Sequence, residues 1–316
     1  MKGLVIVAVL CVGVCLVEAG FKPHLERQGG KKKSTPPDTK EDPEFEQQWA
    51  YVEVRPGAHM FYWLYYTDHE DGYLNRPVII WLQGGPGASS TGYGNFDIIG
   101  PRTIELDYRN TTWAHQANIL FIDNPVGAGY SYVEHDDLYT RDVDEIAVDL
   151  MALWTVFLET NPEFVDVPLY IFGQSYGGKM GVVFAQYLHN AITNDGFAST
   201  LGGTAMGNAW ISPIDSTITW APFLYWMSTT DEQGVDAIME SANECQKAVD
   251  EERWNDATDW WRNTEYVVWD YTNYVDFYNI LKFMVWDSKS GKLSLPREMQ
   301  PAWKSRSLQK FFQKQG

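Results

Sequence analysis

The pentapeptide Gly173-Gln174-Ser175-Tyr176-Gly177 sets a serine between two glycines at the spacing G-x-S-x-G. A serine hydroxyl acts as a nucleophile when a sharp turn holds its Oγ exposed, and residues without a Cβ on either side permit that turn. Residues 169–172 before it are apolar and of strand length, and 179–190 after it read as a helix. Strand, tight turn and helix together form a nucleophile elbow. Two other readings attach to the same stretch. It is one residue from the phosphate loop G-x-x-x-x-G-K-[ST], but Met180 has no hydroxyl to hold Mg²⁺. It also fits a strand–turn–helix with no chemistry.

Acyl transfer at a serine needs a base, hydrogen-bond donors for the oxyanion, and groups that select the substrate. The stretch Gln83-Gly84-Gly85-Pro86-Gly87 follows an apolar run at 77–82. Its diglycine lets backbone approach a carbonyl oxygen without a Cβ in the way. The expected oxyanion donors are the N–H of Gly85 and the N–H of Tyr176, the residue after the serine.

A sheet must carry these loops. Residues 77–82 and 118–122 are nearly continuous apolar runs, as in strands buried on both faces. Residues 49–54 and 60–67 predict an antiparallel hairpin around the turn at 55–57. In 142–160, Val143, Ile146, Ala147, Leu150, Trp154, Phe157 and Leu158 fall at helical spacing, acids fill the first turn, and Pro162 closes the helix. A further strand is expected at 203–207. This order predicts a mostly parallel α/β sheet over 46–213. Beyond 214 the pattern predicts an inserted helical cap (214–288), with helices at 235–249 and 254–261 and tryptophans used for packing. Residues 20–45 are expected to be a disordered leader and 289–316 a weakly structured tail.

The 316 residues, 45% of them apolar, suffice for one large core or a core plus an inserted domain. Residues 1–19 read as a secretory signal: Lys2, an apolar run at 4–17 and a small-residue cleavage site at 17–19. Its removal leaves Cys245 as the one cysteine, so the mature chain forms no internal disulfide and no cysteine metal site. No H-E-x-x-H occurs, and neither metal nor cofactor is expected. The net charge of −18 argues against a nucleic-acid partner. It suits an acidic compartment or simply keeps an exported protein soluble. No membrane contact is expected after signal removal, and Asn110, with Thr112 two residues on, is the expected N-glycan acceptor if the chain passes through a eukaryotic secretory pathway.

Three motifs together, WLQGGPGASS at 81–90, IDNPVGAGYSY at 122–132 and GQSYGGKM at 173–180, resemble the serine carboxypeptidase family. They most resemble its retinoid-inducible branch, whose first motif also carries Gln. GNAWISP at 207–213 and VDFYNIL at 275–281 extend the likeness. The resemblance implies an α/β-hydrolase fold with a helical cap, a peptide substrate, and a secreted or lysosomal (vacuolar) location. It implies Ser175 as nucleophile, Gly85 and Tyr176 as oxyanion donors, and Gln83, Gly84 and Gln174 as the clamp on the substrate's free carboxylate. The family usually has Glu where Gln174 stands. A glutamate must be protonated to donate to a carboxylate, whereas an amide donates at any pH.

The family's triad runs Ser, Asp, His, the last two on sheet elements after the cap. Here only His189 follows Ser175, 14 residues along the outgoing helix and so about 20 Å away. It cannot be the base. His24, His59, His69, His115 and His135 precede the serine and read as surface or structural residues. The expectation is therefore a chain without the C-terminal sheet elements and without an assignable triad Asp or His. That leaves a truncated form of an active carboxypeptidase, an inactive secreted homologue that binds peptides, or a carboxypeptidase-like acyltransferase.

Overall fold

The structure, a computed structural model, describes residues 21–28, 44–287 and 292–294. The expected signal at 1–19 and most of the expected tail lie outside the described residues. Two compact units divide near Ile211 and Ser212.

The first unit is built on one mixed sheet. Its elements in chain order are β1 (His24–Gln28), β2 (Gln47–Arg55), β3 (Ala58–Tyr65), β4 (Val78–Leu82), β5 (Asn118–Ile122), β6 (Tyr132–Val133), α1 (Val143–Thr160), β7 (Leu169–Gln174), α2 (Tyr176–Asp195) and β8 (Leu201–Gly207). The strand order is β1-β2-β3-β5-β4-β7-β8, with β6 also paired to β3. From β1 to β5 the pairing is antiparallel, and β5, β4, β7 and β8 run parallel. The expected antiparallel start and parallel centre are both present, but the sheet is mixed rather than mostly parallel. Among the described residues four pairings are antiparallel and three parallel, because the hairpin strands β1 to β3 and β6 join the same sheet. Gly57, at φ +71°, makes the hairpin turn between β2 and β3, where residues with a Cβ fit poorly.

Strands β3, β4 and β5 are buried along their whole length, and alternation along them divides two cores. Tyr62, Leu64, Ile80, Leu82, Leu120 and Ile122 pack with α1 and α2. Phe61, Trp63, Tyr65, Trp81, Ile119 and Phe121 form the other core with Ile99 and Ala114. Helix α1 begins at Asp142, whose carboxylate accepts from the N–H groups of Asp144 and Glu145 (3.0 and 2.9 Å). It buries Ile146, Leu150, Trp154 and Phe157, the stripe the sequence predicts. Helix α2 ends at Gly196, a left-handed cap at φ +70°.

Part of the expected leader is ordered: His24–Gln28 is β1, antiparallel to β2. Leu25 packs on the core, Glu26 meets His59 Nδ1 at 2.8 Å, and His24 Nε2 lies 3.4 Å from Glu53. These partners are distant in sequence, so a polar local composition does not announce the strand.

The second unit holds α3 (Pro213–Trp226), α4 (Glu232–Asp250), α5 (Trp254–Tyr271) and two small hairpins, β9 (Val275–Asp276) with β10 (Asn279–Phe283) and β11 (Val285–Asp287) with β12 (Lys292–Ser294). The two expected helices are present, and α5 runs ten residues beyond its expected end. Helix α3 is additional. Pro222 sits inside it and its apolar residues form no clean stripe, which masks its period. Strand β12 falls inside the tail expected to be weakly structured. Ala221, Leu224, Ile238, Val268 and Val275 make this unit's small core. Trp226 and Trp254 are exposed, against the expectation that the tryptophans serve packing.

Candidate active site

In the parallel part of the sheet, β4 pairs with the later strand β5 on one side and with β7 on the other. The connection from β4 runs to β5 and that from β7 runs to β8 on the opposite side, which opens a crevice at the carboxyl ends of β4 and β7, the usual ligand position in such sheets. The exit loops of those two strands carry the residues singled out from the sequence.

Ser175 occupies the turn from β7 to α2 at φ +56°, ψ −126°. That is strained backbone for a residue with a Cβ, as a nucleophile elbow requires. Its flanking glycines are sterically forced. A Cβ at Gly173 would lie 2.2 Å from the Gly177 carbonyl oxygen, and one at Gly177 would lie 2.1 Å from that of Leu82. The turn is fixed further by Ser175 N–H donating to Gly207 O (3.1 Å) and by Trp210 N–H donating to Ser175 O (2.8 Å).

Gly84 packs directly on this turn. A Cβ there would stand 2.6 Å from Ser175 Cβ and 3.0 Å from its Oγ. Gly85 follows at φ +117° on the exposed side of the loop. Tyr176 is the first residue of α2, in the turn whose N–H groups have no intrahelical acceptor. The two residues named from the sequence as oxyanion donors thus flank the Gly84–Ser175 contact.

A chain of polar groups runs across the crevice. Trp81 Nε1 donates to Gln83 Oε1 (3.0 Å), and Gln83 Nε2 donates to Gln174 Oε1 (2.6 Å). An indole N–H can only donate, so it fixes which end of the Gln83 amide it meets. Gln83 then presents its NH₂ to the Gln174 carbonyl, which leaves the Gln174 NH₂ as the donor end of that amide.

The sequence reading missed Trp81 as the start of this chain and Asp123 as a neighbouring anchor. Asp123 is fully buried at the end of β5 and binds the loop after β4. Burial pushes its carboxyl above the usual carboxylate range, against the hydrogen bonds it accepts. Both residues stand inside the quoted motifs, but their partners are set by the fold.

Met180 is buried and accepts from Asn124 Nδ2 at 3.2 Å, so the phosphate-loop reading has no support at its last position. Asn110 is exposed in a turn. All six histidines lie among the described residues. His59 and His24 meet the carboxylates around β1, His115 meets Asp68 and Tyr108, and His69 meets Asp71. His135 is exposed before a short turn, and His189 is exposed near the far end of α2. Among the described residues, none donates to or accepts from Ser175 Oγ. Cys245 is buried and unpaired, and no described group of residues is arranged to hold a metal ion.

A strained serine between strand and helix, at the switch point in the parallel part of a mixed sheet, defines an α/β-hydrolase. The fold agrees with a solved structure, the prohormone-processing carboxypeptidase Kex1(Δ)p of Saccharomyces cerevisiae: TM-score 0.64, 22% identity, 72% of this chain and 53% of that one. The chain belongs to the serine carboxypeptidase family (peptidase S10), whose pattern matches residues 37–316. It is 45% identical over 241 residues to the retinoid-inducible serine carboxypeptidase of Mus musculus, covering 76% of this chain and 53% of that protein. It is 40% identical over 239 residues to serine carboxypeptidase-like 51 of Arabidopsis thaliana, covering 74% and 52%. The chain thus spans about half the length of the curated relatives it matches.

Proposed function

We propose that these loops form a serine carboxypeptidase site in which Ser175 attacks the last peptide bond of a substrate and carries the acyl group. The N–H groups of Gly85 and Tyr176 receive the oxyanion, and Gln83, Gly84 and Gln174 receive the free carboxylate. The observation that carries this reading is the donor chain from Trp81 through Gln83 to Gln174. It leaves an amide NH₂ as donor one residue from the nucleophile, and a carboxylate, which only accepts, is the matching ligand. An amide clamp binds that carboxylate without first taking up a proton. The expected signal at 1–19 and the exposed sequon at Asn110 support delivery through a secretory route.

In the chemical step, Oγ attack forms a tetrahedral oxyanion that the two backbone amides stabilise, and the leaving amine departs as a free amino acid. The proton on Oγ needs a base. None of the six histidines is bonded to Ser175, and a second reading is that these residues bind a peptide C-terminus without turnover. A serine without its base keeps only about 10³–10⁴-fold catalysis over water.

Calorimetric titration of the full chain with one peptide as free acid and as amide, with product analysis, tests both readings. The proposal expects binding of the acid only. Release of its last residue, absent in Ser175→Ala, assigns turnover; binding without release assigns the second reading. Equal affinity for acid and amide overturns the carboxylate clamp.

A further inference from the structure

Asp123 is buried, and every group donating to it is neutral. Its carboxylate accepts from Ser89 Oγ (2.8 Å), Thr91 N–H (3.0 Å), Thr91 Oγ1 (2.7 Å) and Tyr130 N–H (2.9 Å). Three of these four bonds come from the segment that follows the Gly84-Gly85 turn. That segment is tied to itself as well. Ala88 N–H donates to Gly84 O (3.0 Å), Gln83 N–H to Ser90 Oγ (3.0 Å), and Gly92 N–H to Ser89 Oγ (2.8 Å). Residues 83–92 therefore form one hydrogen-bonded unit, and Asp123 fastens it to the end of β5. On the far side, Gly129 lies so close that a Cβ there would meet Asp123 Oδ2 at 2.1 Å and Ser89 Oγ at 2.6 Å. Ser131 Oγ donates to Asp123 O (2.5 Å) and accepts from Phe61 N–H (2.8 Å), which anchors the aspartate's own backbone to β3.

We propose that Asp123 is a positioning residue whose carboxyl oxygens set the height of the 83–92 loop, and through it the approach of Gly84 and Gly85 to Ser175. A carboxylate offers lone pairs for all four donors, whereas an asparagine of the same shape offers one oxygen and turns an NH₂ toward the others. The second acceptor oxygen, not the volume, is what the site uses. Two donors left facing an NH₂ would release the segment from β5 while leaving the strands intact, because the ladders around β4 and β5 do not pass through this side chain. The loop part of this inference stands on geometry alone. Its consequence for ligands rests on the carboxylate-clamp reading above.

Peptide-resolved hydrogen exchange on the full chain tests it, with Asp123→Asn compared to the unmodified protein. Exchange in 83–92 should rise at least tenfold, with 118–122 and 146–158 unchanged. Affinity for a free-acid peptide should fall by a similar factor. Thr91→Val should reproduce the local loosening and Thr91→Ser should not, which keeps the test open if the asparagine variant folds poorly. Exchange that stays unchanged, or rises evenly across the chain, overturns the positioning role. Local loosening in a protein that never binds free-acid peptides upholds the positioning role and removes the clamp reading instead.

Discussion

Replacing Gly84 by alanine tests the central contact of the site. The new Cβ would lie 2.6 Å from Ser175 Cβ and 2.8 Å from the Gln174 carbonyl oxygen. Neither neighbour is the movable end of a long side chain, since one is the elbow's own Cβ and the other is backbone. Ordinary contact begins near 3.4 Å, so the β4 exit loop and the elbow must part by about 0.8 Å. Overpacking of this kind costs about 1–3 kcal/mol. For a chain of this size that is a fall in Tm of roughly 2–12 °C. A displacement near 1 Å at a reacting centre lowers a positioned reaction by about 100-fold, which should appear in the rate of Ser175 labelling by a fluorophosphonate. Gly207→Ala is the control, because a Cβ there meets nothing within 4 Å. The measurements are thermal unfolding by circular dichroism and labelling followed by mass spectrometry. If Gly84→Ala unfolds within about 1 °C of the control, below the smallest shift expected from overpacking, the close approach of loop and elbow is refuted.

Gln174→Glu should make free-acid peptide affinity fall roughly tenfold or more between pH 5 and pH 8, since a glutamate donates only while protonated; the unmodified protein should stay flat, and equal slopes in titration calorimetry contradict the amide clamp. Arg55 Nε donates to Asp149 Oδ1 (2.6 Å) and Nη2 to Oδ2 (3.1 Å), with Asp149 fully buried. Arg55→Met should therefore cost about 3–5 kcal/mol in urea unfolding by stranding that carboxylate, and adding Asp149→Leu should recover most of it. Burial pushes the Cys245 thiol above its ordinary range, and its Sγ donates to Ala257 O (3.2 Å); alkylation at pH 8 should need unfolding, and rapid labelling of the native chain would contradict the packing of α4 on α5. Expressed through a eukaryotic secretory pathway, the chain should carry a glycan that a peptide N-glycosidase removes and that Asn110→Gln lacks.

Local patterns were enough for the elbow, the glycine loop, the continuous apolar strands β4 and β5, and the helix that buries Ile146 to Phe157. Each depends on residues within a few positions of one another: a Cβ-free turn, a strand buried on both faces, a 3.6-residue stripe. The motifs they spell also carried the family. Contacts between remote segments were decided by the fold. The order β5-β4-β7 brings Gly84 onto Ser175 and Gln83 onto Gln174 across about 90 residues of chain. The same order lets Asp123 hold the loop after β4, and the packing of α1 against β2 lets Arg55 reach Asp149. Strand β1 escaped notice because its stability comes from pairing with β2 and from Glu26 meeting His59, not from its own composition. Helix α3 escaped because Pro222 and an unstriped apolar surface hide a helical period that only its packing on Ile238 and Val268 enforces. Sequence alone determined that a serine elbow and its partner loops are present. Tertiary structure decided that they meet, because the distance between two strand ends depends on sheet order, which no local pattern encodes.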